Sequence, residues 1–185
     1  PMTARAFETT CKTRSVEIIL RSAFLADRTR VAVLVAPFRA LCHEIATSLR
    51  HAFKGEDVKV NELSDALQLD FVDQLAELFG QAAPTTRHLM VLTPEKLLYV
   101  LRQEPTLVAH IGMVVYDEGH QFDTGPRGIT YELLLTEIKG LLPASAQTVL
   151  ISAVIKNAVA VGTWLIGTEP NVVDGTGLLS TARSV

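Results

Sequence analysis

The segment that decides the fold of this chain is Val114-Val115-Tyr116-Asp117-Glu118-Gly119-His120. It begins with apolar and β-branched residues, as a buried strand does, and it then presents two adjacent acids. A carboxylate is costly to bury without a partner, so the two acids are expected at the end of the strand rather than inside a sheet. In a parallel α/β sheet, the end of a strand is also where ligands bind.

Short apolar runs of the same kind alternate with longer amphipathic stretches, which is the pattern of βα units. Strands are predicted at 31–36, 58–61, 88–92, 113–116 and 148–151. Helices are predicted at 13–27, 39–53, 64–79, 94–102, 128–141 and 157–166. The run Val31-Ala32-Val33-Leu34-Val35 is apolar on both faces, so helices should cover both sides of the sheet. The predicted fold is an α/β domain of three layers with a mostly parallel sheet.

The composition bounds the class of protein. The chain has 185 residues, 48% of them hydrophobic, which suits one buried α/β core and not two of ordinary size. Its apolar runs are shorter than the roughly 20 residues of a membrane span, and its first residues lack a secretory signal pattern. Two cysteines make no disulfide framework, so a cytoplasmic protein without a membrane partner is expected. A net charge of −3 argues against bulk attraction to nucleic acid but allows local contacts with a strand.

Asp117 and Glu118 are suited to phosphoryl transfer. One carboxylate can hold Mg²⁺, and the second can orient or deprotonate the attacking water. An Asp-Glu pair considered alone is more often a solvated turn, because short motifs have many chance matches. The segments that follow other predicted strands favour the phosphoryl-transfer site over a solvated turn. These segments are Pro37-Phe38-Arg39, Thr93-Pro94-Glu95-Lys96 and Ser152-Ala153-Val154.

These segments together resemble the motifs of superfamily-2 DExH-box helicases, in the order of that family. Asp117-Glu118-Gly119-His120 resembles the DExH box, and Pro37-Phe38-Arg39 resembles motif Ia with Phe38 in place of threonine. Thr93-Pro94-Glu95-Lys96 resembles motif Ib, and Ser152-Ala153-Val154 resembles the Ser-Ala-Thr of motif III. The resemblance implies a RecA-like P-loop NTPase domain that binds ATP and Mg²⁺. It also implies a single-stranded or duplex nucleic acid, RNA or DNA, as partner.

The resemblance assigns roles at the nucleotide site. Asp117 would hold Mg²⁺, and Glu118 would act on the attacking water. His120 would lie at the same site and couple it to motif III rather than transfer a proton. Ser152 and Ala153 would form that coupling segment.

The resemblance also assigns the contacts to a nucleic-acid strand. The residues concerned are Pro37, Arg39, Thr93, Pro94, Glu95 and Lys96. Thr93 and Pro94 begin a predicted helix, whose unpaired N–H groups can receive a phosphate. For Arg39 by itself, a surface ion pair is as well supported as a phosphate contact.

The matching phosphate loop is Ala6-Phe7-Glu8-Thr9-Thr10-Cys11-Lys12-Thr13, compared with Gly-x-x-x-x-Gly-Lys-Ser/Thr. Its expected nucleotide-binding residues are Thr10, Cys11, Lys12 and Thr13. Lys12 would reach the phosphates, and the Thr13 hydroxyl would bind Mg²⁺. Cys11 replaces the second glycine, and a side chain there opposes backbone angles that glycine adopts cheaply. Glu8 adds a negative charge to a loop that receives a triphosphate.

The expected organisation is a helicase ATP-binding domain at 1–169, truncated at its N-terminus, followed by a connector at 170–185. The connector is similar to the link toward a second RecA-like domain in superkiller-like DExH helicases, and a fragment without that domain is expected to be inactive alone. Two interpretations stay open. Asp117-Glu118 and Lys12-Thr13 favour a helicase that couples ATP hydrolysis to strand translocation or unwinding. Cys11 and Glu8 favour a degenerate, non-hydrolysing helicase-like module that binds or scaffolds a partner.

Overall fold

Five parallel strands form the sheet of this protein. The computed structural model describes residues 4–63, 86–103, 105–123, 125–152 and 157–173. The strands are β1 (Val31–Val35), β2 (Val58–Glu62), β3 (Arg87–Leu92), β4 (Ile111–Tyr116) and β5 (Gln147–Leu150). Their order across the sheet is β2-β3-β1-β4-β5, and every neighbouring pair is parallel. The predicted α/β class is confirmed, and each strand lies within two residues of its predicted bounds.

The described helices precede, connect and follow these strands. They are α1 (Ala4–Leu25), α2 (Arg39–Ala52), α3 (Pro94–Gln103), α4 (Gly125–Leu141) and α5 (Ala158–Ile166). Two short 3₁₀ helices, Pro105–His110 and Gly119–Asp123, flank β4. The bounds of α2 to α5 agree with prediction within three residues, whereas the helix predicted at 64–79 lies outside the described residues.

Helices cover both faces of the sheet. One face packs against α1 and α2, through Val16, Leu20 and Phe24 of α1 and through Cys42, Ile45 and Leu49 of α2. Successive side chains of a strand point to opposite faces, and the alternate residues of β1 and β4 are buried as well. They share the second face with buried side chains of α3 and α4, two helices that pack against each other. All five side chains of β1 are therefore buried, as its continuous apolar run predicted.

The α1 helix is anchored to the turn that follows α2 by Arg21. Its guanidinium contacts Glu17 at 3.0 Å and Glu56 at 2.8 Å, and it donates to the Ala52 carbonyl at 3.1 Å. The same group lies 5.1 Å from the centre of the Phe53 ring, a cation–π distance. These contacts fix where α1 crosses the sheet, and hence where its N-terminal half emerges.

The start of α1 corrects one prediction. A helix was expected from Thr13 and a loop before it, but α1 is continuous from Ala4, so residues 6–13 are helical. The reason lies in composition, because no glycine or proline interrupts residues 4–13, and a phosphate loop needs glycine to leave helical backbone angles. With Cys11 in place of glycine, continuing the helix is the cheaper conformation.

The chain divides into two compact units, residues 1–154 and residues 155–185. The second unit contains α5, which ends at Gly167 with a left-handed φ of +77° and buries Leu165. The predicted boundary between 169 and 170 remains a prediction. None of the described helices is long and apolar enough to cross a membrane.

Gly112 marks the closest approach between β4 and the turn that precedes β1. It is the extra residue where the register with β1 shifts, because Val31 is opposite Ile111 and Ala32 is opposite Met113. A Cβ at Gly112 would lie 2.6 Å from Thr29 Oγ1 and 2.8 Å from Thr29 Cβ. This position therefore has no room for a side chain.

We expect Gly112→Ala to lower the free energy of unfolding by about 1–3 kcal/mol, because the new methyl group must displace Thr29. Gly140→Ala is the matched control, since it lies in α4 with no atom within 4 Å of the added carbon among the described residues. Alanine in that helix should stabilise the protein by about 0.5–1 kcal/mol. Urea titration followed by circular dichroism measures both effects. Equal stability of Gly112→Ala and the parent would contradict the tight contact.

Candidate functional site

The carboxyl ends of four strands converge on one edge of the sheet. Val35 pairs with both Leu92 and Tyr116, and Tyr116 pairs with Leu150, so the residues after these strands emerge side by side. Backbone hydrogen bonds continue past the strands, from Asp117 N–H to the Val35 carbonyl at 2.9 Å and from Ile151 N–H to the Tyr116 carbonyl at 2.8 Å. The four segments that the sequence predicts to be functional therefore lie side by side at this edge, which we call the carboxyl edge.

Asp117 is the buried acid of this edge. Only 4% of it is exposed, and one carboxylate oxygen accepts the Glu118 N–H at 2.8 Å. Burial raises the pKa of Asp117 above its ordinary value; the neighbouring Glu118 charge raises it further, whereas that hydrogen bond, Lys12 and His120 lower it. A carboxylate in this position is stabilised by any cation that reaches it.

Glu118 is held between two basic groups in a strained backbone conformation. Lys12 Nζ lies 2.7 Å from its Oε1, and His120 Nδ1 lies 3.0 Å from its Oε2. Its φ is +57°, in the left-handed region that non-glycine residues rarely adopt. Such strain persists only where the surroundings over-determine the conformation. The backbone conformation of Glu118 is therefore imposed by the surrounding fold and not by the conformational preference of the residue itself.

Contacts on both sides hold this turn. Gly119 N–H donates to the Ile151 carbonyl at 2.9 Å, and Gln121 N–H donates to the Glu118 carbonyl at 2.9 Å. From α4, the Tyr131 hydroxyl donates a long hydrogen bond to the Asp117 carbonyl at 3.4 Å. A Cβ at Gly119 would lie 2.8 Å from Leu150 Cδ1, so a larger residue there would require the Leu150 side chain to shift. Tyr131 and Leu150 carry no sequence pattern that links them to the acids, and sequence reasoning missed them.

Lys12 reaches the acids from α1, although it is 106 residues away from Glu118 in sequence. Because α1 runs antiparallel to β1, its N-terminal half extends toward the carboxyl edge. Thr13 follows Lys12 on this helix, and Thr10 and Cys11 precede it. In an α-helix each N–H beyond the first four bonds to a carbonyl of the preceding turn. The backbone N–H groups of 10–13 are therefore occupied in this conformation.

The residues predicted to contact a strand surround the N-termini of α2 and α3. Arg39 is exposed at the first position of α2, after Phe38 at the N-cap. Pro94 begins α3, and the Thr93 carbonyl accepts the Leu97 N–H of its first turn at 2.9 Å. Phe38 has no side-chain oxygen with which to cap α2, and its side chain makes no cap hydrogen bond.

The segments predicted to bind a nucleic-acid strand and the segment that bears the acids meet around a small cavity of about 30 Å³. Its lining consists of Pro37, Glu95, Gln121, Thr130 and Tyr131. Pro37 and Glu95 come from the predicted strand-binding segments, and Gln121 follows the acids. The structure thus places the two predicted sites next to each other along the carboxyl edge. Lys96, next to Glu95 on α3, is half-buried.

Ser152 follows β5 at the same edge. Its Oγ is buried and, within the described part of the chain, has no hydrogen-bond partner. An unsatisfied buried hydroxyl costs free energy, and a partner in a second state of the protein would explain why it is kept. Ala153 lies outside the described residues, so the structure describes one of the two predicted coupling residues.

The parallel α/β fold, with a lysine and two carboxylates at its carboxyl edge, is that of a RecA-like domain. The DEAD/DEAH box helicase family matches residues 7–161, nearly the whole of this domain. The chain belongs to the DEAD/DEAH box helicase family, and its sequence motifs agree with that assignment.

Individual relatives come from several kinds of protein. The Hachiman protein HamB of Bacillus cereus is 32% identical over 155 residues, which cover 83% of this chain and 13% of the relative. The ATP-dependent DNA helicase Hel308 of Thermococcus kodakarensis is 28% identical over 83% of this chain and 12% of the relative. The ATP-dependent RNA helicase dbp-10 of Neurospora crassa is 29% identical over 69% of this chain and 12% of the relative. The chain therefore spans about an eighth of the length of these relatives.

The buried charge of Asp117 leads to a stability prediction. Because its pKa is raised on folding, the folded state holds the proton more tightly than the unfolded state does. Ionisation above the ordinary pKa of 3.8 therefore favours unfolding, and the ionised carboxylate destabilises the protein at neutral pH.

We expect Asp117→Asn to have a higher Tm than the parent at pH 7, since asparagine can still accept the Glu118 N–H but carries no charge. The difference should shrink as the pH falls toward 3.8, where Asp117 becomes protonated in both states. Differential scanning calorimetry at several pH values measures this. Glu132→Gln, at an exposed carboxylate of α4, controls for the change in net charge. A lower Tm for Asp117→Asn at neutral pH would contradict the assigned cost of burial.

Proposed function

We propose that this domain binds ATP with Mg²⁺ and, in the whole protein, couples ATP hydrolysis to the translocation or unwinding of nucleic-acid strands. The observation that carries the proposal is the 2.7 Å contact between Lys12 and Glu118 beside the buried Asp117. Membership of the DEAD/DEAH box helicases supports the use of ATP. The finer assignments below rest on the geometry of the carboxyl edge.

The acids and the lysine fit the chemistry of Mg²⁺ and a triphosphate. Mg²⁺ prefers carboxylate oxygens and supplies charge that offsets both the phosphates and a buried acid. Asp117 is assigned to hold the ion, because burial raises its pKa and a cation would offset the cost of burying its charge. Thr13, next to Lys12 on α1, is assigned as the hydroxyl ligand. Lys12 is assigned to the phosphates.

Glu118 is assigned to the attacking water. In the described conformation Lys12 holds Oε1, so that oxygen is not available as a base, whereas His120 Nδ1 lies 3.0 Å from Oε2 without hydrogen-bond geometry. Transfer of Lys12 from Glu118 to a phosphate would release Oε1 for the water. His120 would stay next to Oε2 and so maintain the orientation of the carboxylate. The left-handed backbone of Glu118 adds to this positioning.

The helical form of residues 6–13 does not fit a phosphate, because the N–H groups from residue 8 onward are used within α1. ATP binding therefore requires the first turns of α1 to unwind so that Thr10, Cys11 and their neighbours can wrap the phosphates. Lys12 lies at the boundary of the segment that must change. We propose that nucleotide binding and this unwinding are one coupled step.

A nucleic-acid strand is assigned to the N-termini of α2 and α3. Arg39 and Lys96 supply positive charge there, and the N-terminal ends of the two helices favour the negative charge of a phosphate. The small cavity that joins Pro37, Glu95 and Gln121 supports coupling of this strand to the acids, with Ser152 as the coupling residue. These contacts are to the backbone of a strand, so they do not select between RNA and DNA.

The whole protein is proposed to place a second RecA-like domain against this edge. The relatives are about eight times longer than the matched region, which leaves room for such a domain. It would complete the nucleotide cleft and supply the charge that stabilises phosphoryl transfer, so residues 1–169 alone should have little ATPase activity. Residues 170–185 are proposed as the connector toward it.

One observation favours the second candidate, a non-hydrolysing helicase-like module that binds or scaffolds a partner. The continuous α1 helix, with Cys11 where glycine is expected, closes the phosphate loop in the described conformation. If the unwinding of this segment is too costly, the Lys12–Glu118 ion pair is permanent and the acids never act on ATP. The two following predictions separate these alternatives.

In the whole protein, we expect Glu118→Gln to keep ATP binding within a few-fold while lowering ATP hydrolysis by about 100-fold or more, because it removes the group that acts on water. Filter binding of labelled ATP and phosphate release measure the two properties separately. Glu132→Gln, an exposed residue of α4, is the control for charge. Equal rates of hydrolysis in parent and Glu118→Gln would eliminate the catalytic assignment.

We expect Cys11→Gly combined with Glu8→Thr to raise the affinity for Mg-ATP by on the order of tenfold, because glycine weakens the helix and one negative charge is removed. Cys11→Ala combined with Glu8→Thr removes the same thiol and charge but keeps a helix-forming residue, so it should gain less. Isothermal titration calorimetry measures affinity, and circular dichroism measures the expected loss of helix. A parent that binds as tightly as the glycine variant would argue against a closed loop and against the scaffold alternative.

A further inference from the structure

A second concave site lies at the amino edge of the sheet, opposite the acids. The cavity has a volume of about 300 Å³ and is bounded by the turn 27–31, by residues 109–112 and by Ser145. These segments immediately precede β1, β4 and β5. Pockets of this size suit a small ligand or one polar group of a larger molecule. None of the residues assigned to ATP or to the strand lines it.

The turn that forms one wall is a built structure rather than a loose connection. After α1, Arg28 N–H donates to the Ala23 carbonyl at 3.0 Å and Asp27 N–H donates to the Phe24 carbonyl at 3.2 Å. This is a Schellman ending, with Asp27 in the left-handed position at φ +52°. Thr29 Oγ1 then bonds both the N–H and the carbonyl of Val31, at 3.1 and 2.7 Å. The wall formed by residues 109–112 can lie close to this turn because Gly112 has no side chain.

The charged side chains of this cavity favour an anion. Two arginines, Arg28 and Arg30, line it together with one acidic residue, Asp27. Arg30 contacts the Asp27 carboxylate at 2.8 Å, so the single negative charge is already compensated. Arg28 is exposed, and among the described residues its guanidinium makes no hydrogen bond or ion pair. The cavity thus has an excess of positive charge in a chain whose net charge is −3.

His110 and Ser145 add hydrogen-bonding groups on the wall that faces this turn. A guanidinium fork with a hydroxyl and an imidazole nearby matches the several acceptor oxygens of a phosphate group better than the two of a carboxylate. We propose that the amino-edge cavity binds a phosphate group, either of a free phosphate compound or of a nucleic-acid backbone, with Arg28 as its principal ligand. The site is separate from the ATP site and does not depend on the function proposed for the carboxyl edge.

The test is a titration of the ¹⁵N-labelled chain, followed by amide NMR at constant ionic strength. One arm uses inorganic pyrophosphate, and the other uses a six-residue oligodeoxythymidylate. Binding at the cavity should shift the amide signals of Thr29, Ile111 and Gly112, whereas binding at the opposite edge should shift those of Asp117 and Glu118. The two sites are thus read separately, and failure at one edge leaves the result at the other intact.

Three variants decide whether Arg28 is responsible. Arg28→Gln should raise the Kd, measured from the Thr29 and Gly112 signals, by about tenfold or more. Arg28→Lys should raise the Kd less, because lysine keeps the positive charge. Lys54→Gln removes an equal charge from an exposed position at the same edge, outside the cavity, and should leave the Kd unchanged. The amide spectrum of each variant shows that it is folded.

Shifts with pyrophosphate alone would identify a free phosphate compound as the ligand, and shifts with the oligonucleotide alone would identify a nucleic-acid backbone. Shifts with both would support the common phosphate chemistry. The proposal is overturned if neither probe shifts the cavity signals, if Arg28→Gln binds like the parent, or if Lys54→Gln weakens binding as much as Arg28→Gln does.

Discussion

The burial of β1 on both faces is the constraint on which the rest of this domain depends. No side chain of Val31–Val35 is accessible, because α1 and α2 cover one face of the sheet and α3 and α4 cover the other. Polar and charged side chains are costly to bury within such a sheet, so the functional groups lie at its two edges. The backbone hydrogen bonds that extend the strands, such as Asp117 N–H to the Val35 carbonyl, carry this rigidity into the segments that bear the acids.

The carboxyl edge uses that rigidity to maintain an unfavourable arrangement. A buried Asp117, a left-handed Glu118 and a buried Ser152 hydroxyl with no partner among the described residues each cost free energy. The Lys12–Glu118 ion pair and the Tyr131 hydroxyl offset part of this cost from α1 and α4. In a member of the DEAD/DEAH box helicases, such a site is consistent with the proposed second state, in which Mg²⁺ and a nucleotide supply the missing partners.

The α1 helix connects the two edges of the sheet. Its C-terminal end is fixed by the Schellman turn and by Arg21, and the turn that follows this end forms a wall of the amino-edge cavity. Its N-terminal turns project toward the acids and contain the residues that match a phosphate loop. At about 1.5 Å per residue, its 22 residues span roughly 33 Å, about twice the length of β1. A change at its N-terminal end can therefore occur beyond the packed core.

The sequence by itself determined the strands, four of the helices and the segments that meet at the carboxyl edge, because apolar runs of strand length and helix signals such as Pro94 are local properties. It also determined the family, through motifs that each occupy a few adjacent residues. The helical form of residues 6–13 also follows from a local property, the absence of glycine, although the match to a phosphate loop predicted a loop there. The tertiary structure alone brought Lys12 to Glu118 and placed Arg28 and His110 on the same cavity, because these neighbours are set by the order of strands across the sheet and not by any spacing along the chain.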